Sequence, residues 1–202
     1  MRRSTIRRTI MRRTIMLAAC TLALALCAGY AAAQTTPPAD TLKVDYFANA
    51  NTAGATDATL RLTDPGTAVG GNLCAVIYVF DSTQEMSECC SCVLSPDGLR
   101  TVSVNVDLTS NPLTGVILHT GAIKIVPTPT AGGVCALTRV LNPKAAIRSW
   151  ATHIQNGGFA VTETASQDAT LSAAEVLLLQ TECYGIQLDG SGNGICTCGT
   201  GD

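Results

Sequence analysis

Apolar side chains recur along this chain in short runs with a period of two, broken by turns rich in Pro, Gly, Asn and Asp. That spacing predicts strands rather than helices. Leu42-Lys43-Val44-Asp45-Tyr46-Phe47 and Thr59 to Thr63 alternate, and Asp64-Pro65-Gly66 ends the second run. Leu73 to Phe80 is apolar throughout and rich in Val, Ile and aromatics, the pattern of a strand buried on both faces. It leads through a polar stretch, Asp81 to Glu88, into Cys89, Cys90 and Cys92. Ser95-Pro96-Asp97-Gly98 is a turn, and Leu99 to Asp107 follows with Val102, Val104 and Val106 on one face, so Cys89 to Leu94 and Leu99 to Asp107 are expected to form a hairpin. Val116 to Val126 reads as one long strand or two short ones around Gly121. Pro127, Pro129 and Gly132-Gly133 then form a loop. Ile147 to Gln155, the turn Asn156-Gly157-Gly158, and Phe159 to Thr164 complete a further hairpin. Many short strands with such turns predict a mainly β fold, an immunoglobulin-like β-sandwich by architecture, although the Cys…Trp…Cys spacing of true immunoglobulin domains is absent.

One helix is expected. Ser172-Ala173-Ala174-Glu175 is a capping box, Leu171 and Val176 suit a hydrophobic staple, and Gly185 is placed to end the helix after Tyr184. Val176, Leu179 and Cys183 share a face, which turns Cys183 toward the sheet. Beyond it, Asp189 to Gly194 is a glycine-rich turn leading to Cys196 and Cys198, a C-terminal hairpin expected to be stapled to the body through the Cys90/Cys92 face.

The first 33 residues follow other rules: paired arginines from Arg2 to Arg13, an apolar run from Thr14 to Gly29, and Ala31-Ala32-Ala33 before Gln34. They predict a cleaved export signal over 1–33, an extended Pro37-Pro38 tail over 34–41 and a single disulfide-rich domain over 42–202. Arg12-Arg13 also suits a twin-arginine signal, but a disulfide framework is more naturally built after unfolded export; Leu17-Ala18-Ala19-Cys20 matches a lipoprotein box, yet only six residues separate Cys20 from Arg13 and the apolar run continues through Cys27. The apolar run, interrupted by Thr21 and Gly29, is too short for a membrane span. Removing the leader leaves seven basic against fifteen acidic side chains, a net charge of −8. Such a surface disfavours nucleic acid and anionic lipid.

Eight cysteines remain, Cys74, Cys89, Cys90, Cys92, Cys135, Cys183, Cys196 and Cys198. In an exported chain an even set reads as four disulfides, with connectivity open. A soft-metal site of clustered thiolates is the rival reading. Asp189, Ser191 and Asn193 fall at calcium-loop spacing, but Thr200 stands where the loop needs Glu. His119 and His153 are the only histidines and no G-x-S-x-G or comparable motif accompanies them. No cofactor is expected.

NLCAVIYVFDSTQEMSECCSCVLSPDGL, SNPLTG at Ser110 to Gly115, Trp150-Ala151-Thr152-His153 and the ending GSGNGICTC together resemble bacterial secreted cysteine-rich proteins of unknown function. The resemblance implies an exported cysteine-rich domain and supplies no catalytic residues. The expectation is a secreted, periplasmic or cell-surface protein without enzymatic activity. Its partner is expected to be an extracellular protein or envelope component. A secreted hydrolase using a histidine base and a cysteine-cluster metal binder are the alternatives.

Overall fold

The computed structural model describes residues 40–67, 70–137, 142–155 and 160–199. The expected leader, nearly all of the tail, and the turn Asn156-Gly157-Gly158 with Phe159 lie outside the described residues. Among the described residues, nine strands form two antiparallel sheets. The larger contains β4 (Met86–Leu94), β3 (Leu73–Asp81), β6 (Thr120–Pro129), β1 (Leu42–Ala48) and β9 (Gln167–Ala169), in that order. The smaller runs β5 (Leu99–Ser103), β2 (Thr59–Thr63), β7 (Arg148–Gln155), β8 (Ala160–Ala165). Among the described residues a single α-helix, α1 (Ala173–Asp189), lies on the outer face of the larger sheet.

β3 shows why its sequence is apolar throughout. Leu73, Ala75, Ile77 and Val79 pack between the sheets with Leu60, Leu62, Ile123 and Ile125. Cys74, Val76, Tyr78 and Phe80 face the other way, onto Leu179, Cys183 and Ile186 of α1. A strand covered on both sides has no need of alternation. Two packed antiparallel sheets are compatible with the immunoglobulin-like expectation at the level of layers.

The expected hairpin of Cys89 to Leu94 with Leu99 to Asp107 does not form. β4 pairs with β3 across the turn at residues 82–85, while the Ser95–Gly98 turn carries the chain to the other sheet, where β5 pairs with β2. The amide of Asp97 donates to the carbonyl of Asp64 at 2.8 Å, so this turn is held by the smaller sheet. The strand expected to reach Asp107 also stops at Ser103 and gives way to a π-helical turn, Val104–Leu108. Side chains compete here for the strand's backbone: the Ser103 hydroxyl accepts from the amide of Val106, the Asp107 carboxylate accepts from the amide of Ser103, and the distant Asp57 accepts from the amide of Asn105. Val102 and Val104 stay buried but Val106 is turned outward, 67% exposed.

β6 begins at Thr120 rather than Val116, because β1, its partner, ends opposite it at Ala48. Pro127 and Pro129 lie within β6, not in a loop. β1 pairs no further than Ile125, so their missing N–H groups fall where β3 is the only strand paired with β6. α1 starts as expected, with the Ser172 hydroxyl accepting from the amide of Glu175 at 3.1 Å. It runs through Gly185 and ends at Gly190, left-handed with φ 67°. Burial of Ile186 beyond Gly185 offsets the roughly 1 kcal/mol that a mid-helix glycine costs.

The cysteines pair as Cys74–Cys135, Cys89–Cys183, Cys90–Cys196 and Cys92–Cys198. Cys89 faces α1 and its neighbour Cys90 faces the inter-sheet core, so adjacent residues clamp opposite sides of β4. The C-terminal segment pairs with β4 itself: the amide of Cys89 donates to Gly194 and that of Cys196 to the carbonyl of Cys89. It thereby covers the otherwise open edge of the larger sheet.

Gly121 sits where β6 passes Phe80 and Phe47. A Cβ there would lie 2.0 Å from the carbonyl oxygen of Phe80 and 2.7 Å from the Phe47 ring. Gly121→Ala is expected to lower stability by about 3 kcal/mol or more, read from denaturant unfolding. An unchanged midpoint would mean that the strands part here without cost.

Candidate functional site

His153, one of the two candidate bases, lies at the junction of the sheets and is only 4% exposed. Its Nε2 is 2.8 Å from the Thr164 hydroxyl and 3.4 Å from Asp45 Oδ1, while Nδ1 is buried without a partner. A nucleophile–base–acid relay needs the hydroxyl and the carboxylate on different ring nitrogens. Here both meet the same one. Asp45 also accepts from Ser166, which is bonded to Ser149, and Tyr46 stacks on the imidazole with ring centroids 4.1 Å apart. Burial, outweighing the bonds from Ser166 and the Tyr46 amide and the attraction of His153, raises the Asp45 carboxyl above its ordinary value. Asp45 comes from the larger sheet and His153 and Ser149 from the smaller, so the cluster is a polar tie between sheets.

The sulfurs of Cys90, Cys92 and Cys198 lie within 4.8 Å of one another, the arrangement a soft metal would use. Each is bonded in a disulfide, and a disulfide sulfur is not the thiolate that such a metal requires. Asp189 of the calcium-like spacing belongs to the last turn of α1, while the Ser191 hydroxyl accepts from the amide of Asn193 within the turn that follows.

His119 is differently placed. It lines a cleft of about 210 Å³ between the β3–β4 turn and residues 114–120, together with Asp81, Ser87, Thr114, Val116 and Thr120. Its Nδ1 is 2.7 Å from the carbonyl oxygen of Ala50. A carbonyl only accepts, so Nδ1 carries a proton and donates to it. Asp81 Oδ1 accepts from the amide and hydroxyl of Thr83 and the amide of Glu85. Burial pushes this carboxyl up, but those bonds outweigh it and hold it below the ordinary value, so it is ionised at neutral pH.

Ser87 was not legible as a site residue. Val79 pairs with Glu88 and Phe80 with Met86, leaving Ser87 as the extra residue of a β-bulge. Its carbonyl accepts from the amide of Leu113, and its buried hydroxyl has no partner. Next to it, Glu88 is wholly buried; Oε1 accepts from the amide of Asn111 at 3.0 Å and Oε2 has no partner. Desolvation pushes the Glu88 carboxyl up to about 7. Asn111 also receives the amide of Gly194 on its carbonyl and donates its side-chain N–H groups to Gly192 and Ile195. The segment after the π-helical turn is thus fastened to β4 and to the C-terminus together. The only sequence signal was a glutamate between Met86 and Cys89 with no basic neighbour.

Two more recesses border the same segment. One of about 640 Å³ lies beside α1, floored by Met86, Leu113 and Ile186 and rimmed by Glu85, Glu182 and Asp189. Desolvation first, then repulsion from Glu175, raises the Glu182 carboxyl despite the attraction of Lys124. The other, about 390 Å³, is lined by Asn51, Asn105, Pro112, Ile117 and Asn193 among others.

Because the folded protein favours neutral Glu88, stability is fullest below its ordinary value of 4.5 and falls as pH rises to about 7. The loss is up to about 3 kcal/mol. Glu88→Gln is expected to flatten this slope between pH 4.5 and 7 in denaturant unfolding, and an unaltered slope would remove Glu88 as its source.

Comparisons with protein-family models, curated proteins and solved structures found no match.

Proposed function

We propose that this is an exported, non-enzymatic β-sandwich protein with a surface, adhesion or extracellular binding role, and that it binds through the segment 109–120. One observation carries the reading: the recesses beside the β3–β4 turn and beside the π-helical turn are both walled by this segment, and its Leu113 reaches the floor of the recess beside α1. At its tip Val116 and Ile117 stand 66% and 63% exposed, apolar surface of the kind that partners cover. The segment is held from behind by Glu88 and Asn111, which spares a partner the entropy of ordering it. Four disulfides suit a chain that works in an oxidising compartment, and among the described residues no helix is long and apolar enough to cross a membrane. The catalytic alternative lacks its central contact: the Ser87 hydroxyl is bonded to no base, and His119 Nδ1 is bonded to a carbonyl rather than a carboxylate.

The partner is expected in the cell envelope. Titrating purified protein onto washed envelope fragments of the producing cell, with sedimentation as readout, should give saturable binding that weakens by about tenfold or more in the double variant Val116→Asp/Ile117→Asp. Stability should change by no more than about 0.5 kcal/mol, since both side chains are exposed. Equal binding by the double variant would place the interface elsewhere.

A further inference from the structure

We propose that the paired bridges Cys92–Cys198 and Cys90–Cys196 form a redox site that takes one electron pair from a dithiol and thereby releases the segment 194–199 from β4.

Cys90 and Cys92 are two apart on β4 and share its inner face, against which Cys198 packs. The sulfurs of Cys90, Cys92 and Cys198 lie within 4.8 Å of one another, so each bridge stands beside a sulfur of the other. Among the described residues no other three cysteine sulfurs are so close. Cys90, Cys92 and Cys196 are buried and Cys198 is partly exposed, so an incoming thiolate meets the pair at Cys198. Its attack on Cys198 Sγ forms a mixed disulfide and expels Cys92 as a thiolate. That thiolate is already beside Cys90 Sγ, and its attack there closes a Cys90–Cys92 bond and expels Cys196. Alternate residues of a strand have Cα atoms about 6.6 Å apart, within the roughly 4.4–6.8 Å that a disulfide spans. The dithiol's second thiolate then attacks its own sulfur in the mixed disulfide and expels Cys198. The Arg100 guanidinium donates to the carbonyls of Cys198 and Gly199 at 3.1 and 3.5 Å, a fixed positive charge at the residue whose sulfur must leave as a thiolate. The two protons lost by the dithiol end on Cys196 and Cys198. One dithiol has become a disulfide, and two bridges have become one Cys90–Cys92 bond and two thiols. Segment 194–199 is then held by hydrogen bonds without a covalent tie, among them those joining Cys89 to Gly194 and Thr197 to Asp107. Bonds of this kind at an exposed sheet edge open readily, and their opening bares the backbone of β4 to another strand.

The test treats the oxidised wild-type protein with one molar equivalent of dithiothreitol, alkylates the thiols that appear, and locates the labels by peptide mass spectrometry. Labels are expected on Cys196 and Cys198 in the same molecules, with Cys90 joined to Cys92 and the bridges Cys74–Cys135 and Cys89–Cys183 intact. Glutathione, a monothiol, lacks the second thiolate and is expected to remain bonded to Cys198 while Cys196 is free. In both products deuterium exchange at the Cys89 amide, which donates to Gly194 in the oxidised protein, should quicken about tenfold or more. Labels on Cys92 and Cys198 instead would mean that one bridge opens without reaching its neighbour, and the relay fails. Labels confined to Cys74 and Cys135, or no labels at all, would show that this pair is not the redox site. The expected labels with unchanged exchange at Cys89 would leave the segment on β4 and overturn the release.

Discussion

The fold depends on β4 being held from both sides. A strand presents successive side chains to opposite faces, so Cys89 and Cys90 cannot serve the same layer. The first is bonded to Cys183 on α1 and the second to Cys196 on the C-terminal segment, with Cys92 repeating the second attachment at Cys198. Helix, sheet and C-terminus are therefore fixed to one edge strand. In the chain-entropy picture, cross-links spanning 94 and 106 residues are each worth about 4–5 kcal/mol. That edge would otherwise carry a row of open backbone groups, and the C-terminal segment supplies their partners.

Much of this is readable in the amino-acid sequence. Leu73 to Phe80 declared a doubly covered strand because a one-sided strand would have shown polar residues at every second place. Ser172 and Glu175 announced the helix start, and Cys183 one turn after Leu179 announced its buried face. What was not readable depends on relations distant in sequence. Whether Ser95–Gly98 closes a hairpin or crosses between sheets is decided by Asp64, which receives the amide of Asp97. Whether valines at alternate positions remain in a strand is decided at 104–108 by Asp57 and Asp107, whose carboxylates offer the backbone a competing set of bonds.

The recessed end was legible only in fragments. His119 could be named as a candidate base, but the partner of its Nδ1 is a carbonyl 69 residues away. Asp81 looked like the start of an ordinary polar turn. Ser87 and Glu88 gave the least signal, because a bulge changes register by one residue without altering composition. Glu88 ties the segment 109–120 to β4 through Asn111, and the same asparagine ties it to the C-terminus. Rigidity at this end thus comes from a polar hub joined to a covalent clamp.

The order of the disulfides along the chain has a kinetic side. Cys89, Cys90 and Cys92 emerge from synthesis together, and their partners Cys183, Cys196 and Cys198 emerge together about a hundred residues later. In a chain that crosses the membrane unfolded from its N-terminus, the three thiols of β4 reach the oxidising side about a hundred residues ahead of any correct partner. Only Cys74, whose partner Cys135 comes 61 residues after it, can be paired during that interval. The domain must therefore be completed from its last residues backward. A catalyst of thiol exchange, by returning premature bonds among the three neighbours to thiols, governs its yield more than its final stability.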